Sequence, residues 1–330
     1  MKKAYNVLII GAGKIGSIRA KTIRKFSSQS EIFIFDKDLK KSTLLAKEVN
    51  GHIVTSLKKC LKSKNVDIVV VSVFNKYLMP ICLSALKNKK HVLCEKPMGI
   101  SYKESLKIAN AATKYNRKFK CGFNHRYHPS IQEAYNLYKK NVLGEILYIR
   151  GIYGHGGRTG YEKEWRAQKP LSGGGELLDQ GCHLIDLCYW FFDFEKVKNI
   201  YGIAKPLYWK MKVDDNSFLT IETESGKVGH LHASWTQWKN QFKFEIYGTK
   251  GAIEINGLGK SYGAETLTLY KKHKTGKPPI ETKKKFKSQD NSWEREWIDL
   301  IKAINQNKLP MSNQYESCEV MKTISYLYSL

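Results

Sequence analysis

Long apolar runs are missing from this 330-residue chain. No stretch of about 18 or more apolar residues occurs, which excludes a spanning helix. The first residues, MKKAYNVLIIGAGKIG, hold only a strand-length apolar run. They lack the long apolar region and small-residue cleavage site of a signal peptide. Arginine is scarce as well: only eight of the 56 basic residues are Arg, against 30 acidic residues and a net charge of +26. Nucleic-acid binding favours arginine forks and clustered patches with aromatics, whereas these lysines are spread along the whole chain. The densest group, Lys283, Lys284, Lys285 and Lys287, lies beside a turn-like TGKPP stretch and reads as a solvated loop. Neither nucleic acid nor membrane is an expected partner. Proline is limited to eight residues and no low-complexity tract appears, so disorder is not expected. The seven cysteines form no C-x-x-C pair. That pattern suits reduced, buried thiols in a cytoplasm rather than a disulfide framework or a zinc site.

What is present is ample apolar material, 42% of the residues, enough for two domains with their own cores. The first third alternates strand and helix patterns, as a parallel sheet with crossover helices requires. Strands are expected at 7–10, 32–36, 53–55, 66–73, around HVLC at 91–94, and at 118–123. Helices are expected at 15–26, 39–49 and 102–115. After about Gly122 the rhythm changes. A helix over 129–140 leads into ILYIRGIYG, a long polar loop and a second apolar helix. From Val197 onwards, runs such as SFLTIETES, KVGHLHASWT, KFEIYG and GAIEING read as antiparallel strands. Helices at 293–304 and 315–328 close the chain. The expected division is a dinucleotide-binding domain over 1–122 and a substrate-binding and oligomerisation domain over 123–330.

GAGKIG sets Gly11, Gly13 and Gly16 between the first strand and its helix. The first glycine permits the tight turn, the second lets a pyrophosphate approach backbone, and the third allows close helix packing. Asp36 follows Gly16 by 20 residues, at the end of the second strand. An acid there accepts from the adenosine ribose hydroxyls and repels a 2′-phosphate, so NAD is expected in preference to NADP. Lys37, next door, is the residue that could reverse this.

With GAGKIG at the start, CEKP at 94–97, NHRYHP at 124–129, WR at 165–166, GGGELLDQGCHLIDL at 173–187 and YGTKGAIEI at 247–255, the chain resembles a known family. It is that of glucose–fructose oxidoreductase, inositol dehydrogenase and the rhizopine-catabolism proteins, Gfo/Idh/MocA. The resemblance implies a Rossmann domain, then an α/β domain with a large open antiparallel sheet used for oligomerisation. It also implies hydride transfer between NAD(P) and a sugar or polyol hydroxyl. Lys96 matches the family's lysine at the reacting oxygen and nicotinamide ribose. Asp179 and His183 match its D-x-x-x-H helix. Two stretches depart from the family pattern. Phe74-Asn75-Lys76-Tyr77-Leu78 stands where Pro-Asn-x-x-His is usual, and FFDF stands where a glycine is common. The expected cofactor contacts are Gly11, Gly13, Lys14, Ile15, Gly16, Asp36, Ser72, Asn75, Glu95 and Lys96.

The stretch GGGELLDQGCHLIDL places Asp179, His183 and Asp186 at helical spacings of four and three within an apolar run. Oxidising a secondary alcohol requires a base for the hydroxyl proton, and an imidazole suits that task. Asp179 could orient it or bind a second substrate hydroxyl, and Lys96 would favour alkoxide character electrostatically. Asp186 reads as a structural buried acid. Asn124, His125, Arg126, Tyr127, His155, Arg158, Tyr161, Trp165 and Arg166 are candidate substrate contacts, the arginines suited to an anionic group. The substrate-binding set is Asn124, Arg126, Tyr127, Arg158, Trp165 and Arg166. His230 and His232 face one side of a strand, but no third ligand follows at a sensible spacing, so no metal is expected.

The function so expected is an NAD-dependent dehydrogenase acting on a ring hydroxyl of a sugar, polyol or nucleotide-sugar. A non-catalytic NAD-sensing regulator and a glycosidase using NAD transiently are the alternatives on the same fold. A homodimer or homotetramer is expected, because few helices cover the outer face of the second sheet. Trp235 and Phe244 would be among the residues it exposes.

Overall fold

The computed structural model describes residues 4–273, 275–286 and 290–330. The chain divides into two compact units, one of residues 4–123 and 293–321, the other of 124–292 and 322–330 within the described residues. The second domain, expected to run from 123 to 330, is interrupted. Residues 293–321 belong instead with the first unit.

The first unit begins with β1 (Val7–Ile10), α1 (Lys14–Phe26), β2 (Ile32–Phe35), α2 (Leu39–Val49) and β3 (His52–Ile53). It continues with α3 (Leu57–Lys62), β4 (Ile68–Val71), α4 (Asn75–Lys87), β5 (His91–Cys94), α5 (Tyr102–Lys114) and β6 (Phe119–Cys121). The strands form a wholly parallel sheet in the order β3-β2-β1-β4-β5-β6. VLII and IVVV are buried at every position, because helices cover both faces of the sheet. Ile23, Leu45 and Val49 from α1 and α2 pack onto Val7, Ile9 and Ile34, together with Trp297 and Leu300 from the C-terminal part of the chain. All seven cysteines of the chain are free and six of them are buried.

The second unit carries α6 (Pro129–Lys139), β7 (Ile146–Gly154), a short helix α7 (Lys169–Ser172), a π-helical turn at Leu177–Gly181, and α8 (Cys182–Phe191). Seven further strands follow: β8 (Val197–Lys205), β9 (Asn216–Thr223), β10 (Val228–Ser234), β11 (Gln241–Gly248), β12 (Gly251–Asn256), β13 (Thr266–Lys271) and β14 (Ile280–Lys285). They form an eight-stranded sheet, β14-β13-β12-β11-β7-β10-β9-β8. The sheet is antiparallel except that β7 and β10 run parallel at its centre, because the chain leaves β7 for α8 and re-enters at β8, three strands away. The stretch 283–285 is an exposed edge strand rather than a loop; Lys287 lies outside the described residues. Lysines there keep a free edge from pairing with other chains. The closing helices are α9 (Ser292–Asn305) and α10 (Gln314–Leu327).

Register and burial assign the two faces of the second sheet. Ile149, Leu231, Phe242, Phe244 and Ile246 are buried on the face toward α8, so Phe244 is not an exposed aromatic. Trp235 is fully buried too, edge-on to Tyr161 with ring centroids 5.0 Å apart. The outward face instead shows Ile203, Phe218, His232 and Ile152 side by side across four strands. Beside them lies the stacked pair Tyr148 and Tyr247, with centroids 4.5 Å apart.

Candidate active site

In the first unit, only Gly11, Ala12 and Gly13 separate β1 from α1. Gly11 has φ +96°, and a Cβ there would lie 2.2 Å from the Ser72 carbonyl oxygen. A Cβ on Gly16 would lie 1.8 Å from the Gly11 carbonyl oxygen. Packing within the unit therefore demands both glycines. Gly13 is different: a Cβ there meets nothing within 4 Å. The helix makes its first backbone bond from the Ser17 N–H to the Gly13 carbonyl at 2.9 Å. The N–H groups of Lys14, Ile15 and Gly16 thus come before the helical ladder and are donors for an anion.

Asp36 is braced against this turn. Its Oδ2 accepts from the Ala12 N–H at 2.6 Å and its Oδ1 from the Asp38 N–H at 2.8 Å. A carboxylate has about four acceptor sites, so capacity remains for ribose hydroxyls. The Lys37 ammonium lies 4.9 Å from the centre of the Tyr77 ring. Ser72 Oγ is buried with no hydrogen-bond partner among the described residues, and Asn75 is buried at the first position of α4. An open glycine turn, a braced acid and an orphaned hydroxyl fit a dinucleotide.

Glu95, an expected cofactor contact, pairs with Arg19 within the first unit. Its Oε1 accepts from Arg19 Nε at 2.8 Å, and the same guanidinium pairs with Glu296 and lies 4.4 Å from the centre of the Trp293 ring. Burial pushes the Glu296 carboxyl up, against the pull of Arg19 and Lys120. Lys96 follows directly, half-buried at the end of β5.

In the second unit, the Gly173–Gly175 stretch approaches neighbouring chain closely. A Cβ on Gly174 would lie 2.3 Å from the Tyr328 hydroxyl, and one on Gly175 would lie 1.9 Å from the Asp214 carbonyl oxygen. The Asp214 carboxylate accepts from the N–H groups of Gly175 at 2.9 Å and Leu177 at 2.7 Å, and from the Tyr328 hydroxyl at 2.8 Å. Sequence reasoning missed both residues; an Asp-Asp pair ahead of a strand was the only signal.

The helix so anchored opens with the π-turn that carries Asp179, a distortion frequent at functional sites. Asp179 Oδ2 accepts from Arg166 Nε at 3.1 Å, and Asp179 is the main reason the guanidinium is held above its ordinary value. Arg166 also lies 4.8 Å from the centre of the Trp165 ring. His183, one turn on, is 4% exposed and stacks on His125, with centroids 3.7 Å apart. Asp186 faces a different partner. Its two oxygens accept from Arg126 Nε and Nη2 at 2.8 and 2.7 Å, and both side chains are fully buried. Arg126 is therefore no substrate contact: a buried guanidinium needs this forked carboxylate, and its charge is already matched.

The other predicted residues fall into two groups. Asn124 donates to Ser292 Oγ at 3.0 Å and Tyr127 is buried beside it, so both lie in the interior of the unit. Arg158 is exposed, paired with Glu164 at 2.5 Å. His155 Nδ1 accepts from the Gly157 N–H at 2.9 Å, and burial holds this imidazole below its ordinary value. The nearby Asp179 opposes that shift, while Arg166 and Arg158 reinforce it. His128 pairs with Glu265 at 3.3 Å. His232 Nε2 contacts Asn216 Oδ1 at 3.1 Å, and no group of three or more metal-ligating side chains occurs among the described residues. Nor is any described helix long and apolar enough to cross a membrane.

Comparison with known proteins agrees with this anatomy. Residues 5–123 match the family described as "Oxidoreductase family, NAD-binding Rossmann fold", and residues 131–254 match the GFO/IDH/MocA C-terminal domain. The chain is 29% identical over 261 residues to the 2,7-anhydro-N-acetylneuraminate hydratase of Escherichia coli strain K12, covering 76% of this chain and 67% of the relative. It is 26% identical over 254 residues to the D-glucoside 3-dehydrogenase of the same organism, covering 69% and 70%. Among solved structures, levoglucosan dehydrogenase in complex with NADH superposes with a TM-score of 0.87 at 19% identity, covering 99% of this chain and 97% of that one. Both halves of the sequence thus agree, and the chain belongs to the GFO/IDH/MocA oxidoreductase family.

Proposed function

We propose that the protein is an NAD-dependent dehydrogenase that oxidises a ring hydroxyl of a sugar, polyol or nucleotide-sugar. The observation that carries this reading is the anchored helix on which Asp179, tied to Arg166, precedes the buried imidazole of His183 by one turn. His183 takes the hydroxyl proton. Asp179 and Arg166, partly exposed beside Trp165, bind neighbouring substrate hydroxyls or an anionic group. Lys96 holds positive charge against the oxygen as it gains alkoxide character. NAD, when bound, supplies the hydride acceptor. Gly13 and the N–H groups of Lys14, Ile15 and Gly16 hold its pyrophosphate, with Asp36 on the ribose.

The relationship to D-glucoside 3-dehydrogenase supports a carbohydrate substrate. The hydratase relative favours a second reading, in which hydride is removed and later returned during bond cleavage or hydration. One assay separates the two. The protein is incubated with NAD and a panel of free sugars, inositols, anhydro-sugars and nucleotide-sugars, and both NADH and sugar products are followed. Stoichiometric NADH supports the dehydrogenase. Product without NADH supports the second reading, and no turnover of any panel member counts against both.

We further assign the outward face of the second sheet to a contact with another copy of the chain. The row Ile203, Phe218, His232 and Ile152 supports this, since it forms a largely apolar band across four strands in which Ile203 and Phe218 are exposed.

A further inference from the structure

The strands of the parallel sheet have two ends, and the glycine turn lies at the C-terminal one. At the other, the loops leading into β4, β5 and β6 surround a cavity of about 600 Å3. Lys62, Lys64, Lys89, Lys90, Arg117 and Lys118 line it, against one acid, Asp67. Helices α3, α4 and α5 all end here, and their carbonyl ends favour cations. That accounts for a lysine such as Lys62, the last residue of α3. It does not account for the two cations set deepest.

Lys90 is 6% exposed, and its ammonium donates to the carbonyl oxygens of Ser63 and Val66, each at 2.6 Å. Those two bonds leave one of its three donors. Burial pushes the ammonium below its ordinary value; Asp67 and Cys60 oppose this and the charge of Arg117 adds to it. Arg117 Nε is itself buried and has no hydrogen-bond partner among the described residues. Two cations thus repel each other across a polar cavity, and a buried guanidinium N–H is unmade, an arrangement that costs stability until an oxyanion enters.

We propose that this cavity binds a phosphate group, with the Arg117 fork and the Lys90 and Lys118 ammonium groups as its donors. Several cations against one carboxylate favour a dianion over a singly charged carboxylate. The ligand is either free phosphate or the phosphate monoester of a small metabolite.

The test is calorimetric titration of the full chain, saturated with NAD so that the glycine turn is filled, at constant ionic strength. Inorganic phosphate is expected to bind, and Arg117→Gln to weaken it at least about tenfold while NAD affinity is unchanged. Lys118→Gln, a substitution at a partly exposed site, should weaken it less and keeps the test alive if the arginine variant does not fold. Glycerol 3-phosphate binding more tightly than phosphate would assign an ester, and equal affinities would assign free phosphate. Absence of binding by both, the same response to chloride, or wild-type affinity in the folded variants would overturn the proposal.

Discussion

The imidazole of His183 lies flat against that of His125, with ring planes 22° apart. A proton acceptor must meet its substrate in one orientation, and this stack fixes the plane in which it can do so. His183→Asn is therefore expected to lower turnover by about 10²–10⁴-fold, the usual worth of a general base, with NAD affinity unchanged. The rising limb of the wild-type pH–rate profile near neutrality should vanish with it. His125→Phe keeps a flat ring beneath His183 and should retain most turnover, whereas His125→Ala should lose kcat more than KM. If the His183 variant keeps both its activity and that limb, the imidazole is a core residue.

Asp214 holds the start of the same helix from the side. Its buried carboxylate takes two buried backbone N–H groups and the hydroxyl of the partly exposed Tyr328. Asp214→Ala strands these donors, at an expected cost on the order of 3 kcal/mol. Urea unfolding gives the change in stability. Turnover should fall as well, since the π-turn bearing Asp179 begins at Leu177. A variant as stable and active as the wild type would mean that the glycine stretch holds its shape unaided.

NAD is expected to bind more tightly than NADP, because Asp36 accepts from the ribose and repels a 2′-phosphate. Asp36→Ser should narrow or reverse that preference. The Lys37 ammonium is drawn over Tyr77, so Tyr77→Ala, which frees it, should also improve NADP binding. Titrating both cofactors against the three proteins checks this. A wild type that prefers NADP would sink the assignment of Asp36.

Much of the first unit was legible because parallel strands covered on both faces spell themselves out, as VLII and IVVV do. Two helices were not. α3 is six residues long, too short for a periodic signal, and α4 contains Pro80, which a local reading takes as a breaker. In the site, the spacing of Asp179, His183 and Asp186 suggested one shared face. The structure separates them: Asp179 goes to Arg166, and Asp186 to Arg126. Nothing local could reveal that Arg126 is matched by an acid 60 residues later, or that Glu95 is held by Arg19, whose guanidinium also pairs with Glu296. Trp235 and Phe244 were misplaced for a similar reason. A strand's two-residue period separates its faces, but only the packing of α8 shows that Phe244 is covered, and only the fold brings Tyr161 onto Trp235.

The outward face of that sheet sets the expected assembly. With Ile203 47% and Phe218 39% exposed, a dimer or tetramer should bury the row they form with His232 and Ile152. Light scattering at micromolar concentration should report more than one chain. Phe218→Glu with Ile203→Lys should shift the protein toward monomer. A wild-type monomer, or an oligomer indifferent to both changes, would place the contact elsewhere or nowhere.

His155 gives the chain a pH-dependent stability term whose sign can be worked out. Burial is the main cause of its depressed pKa, so the folded protein keeps this imidazole neutral below the ordinary 6.5. The Gly157 N–H donating to Nδ1 requires that neutral form. As pH falls below 6.5, the unfolded chain takes up a proton that the folded chain refuses, so stability falls with pH. The contribution is complete above the unfolded value and is lost as pH drops through the folded one. The slope approaches, at most, about 1.4 kcal/mol per pH unit for one proton. In His155→Gln that term disappears, so the loss of unfolding free energy between about pH 7 and pH 5 should be smaller than in the wild type. Urea unfolding at a series of pH values measures both slopes. Equal slopes would show that the folded protein lets His155 protonate as freely as the unfolded chain does. Asp179, the larger of the opposing charges, would then outweigh burial, and Asp179→Asn should restore the expected slope.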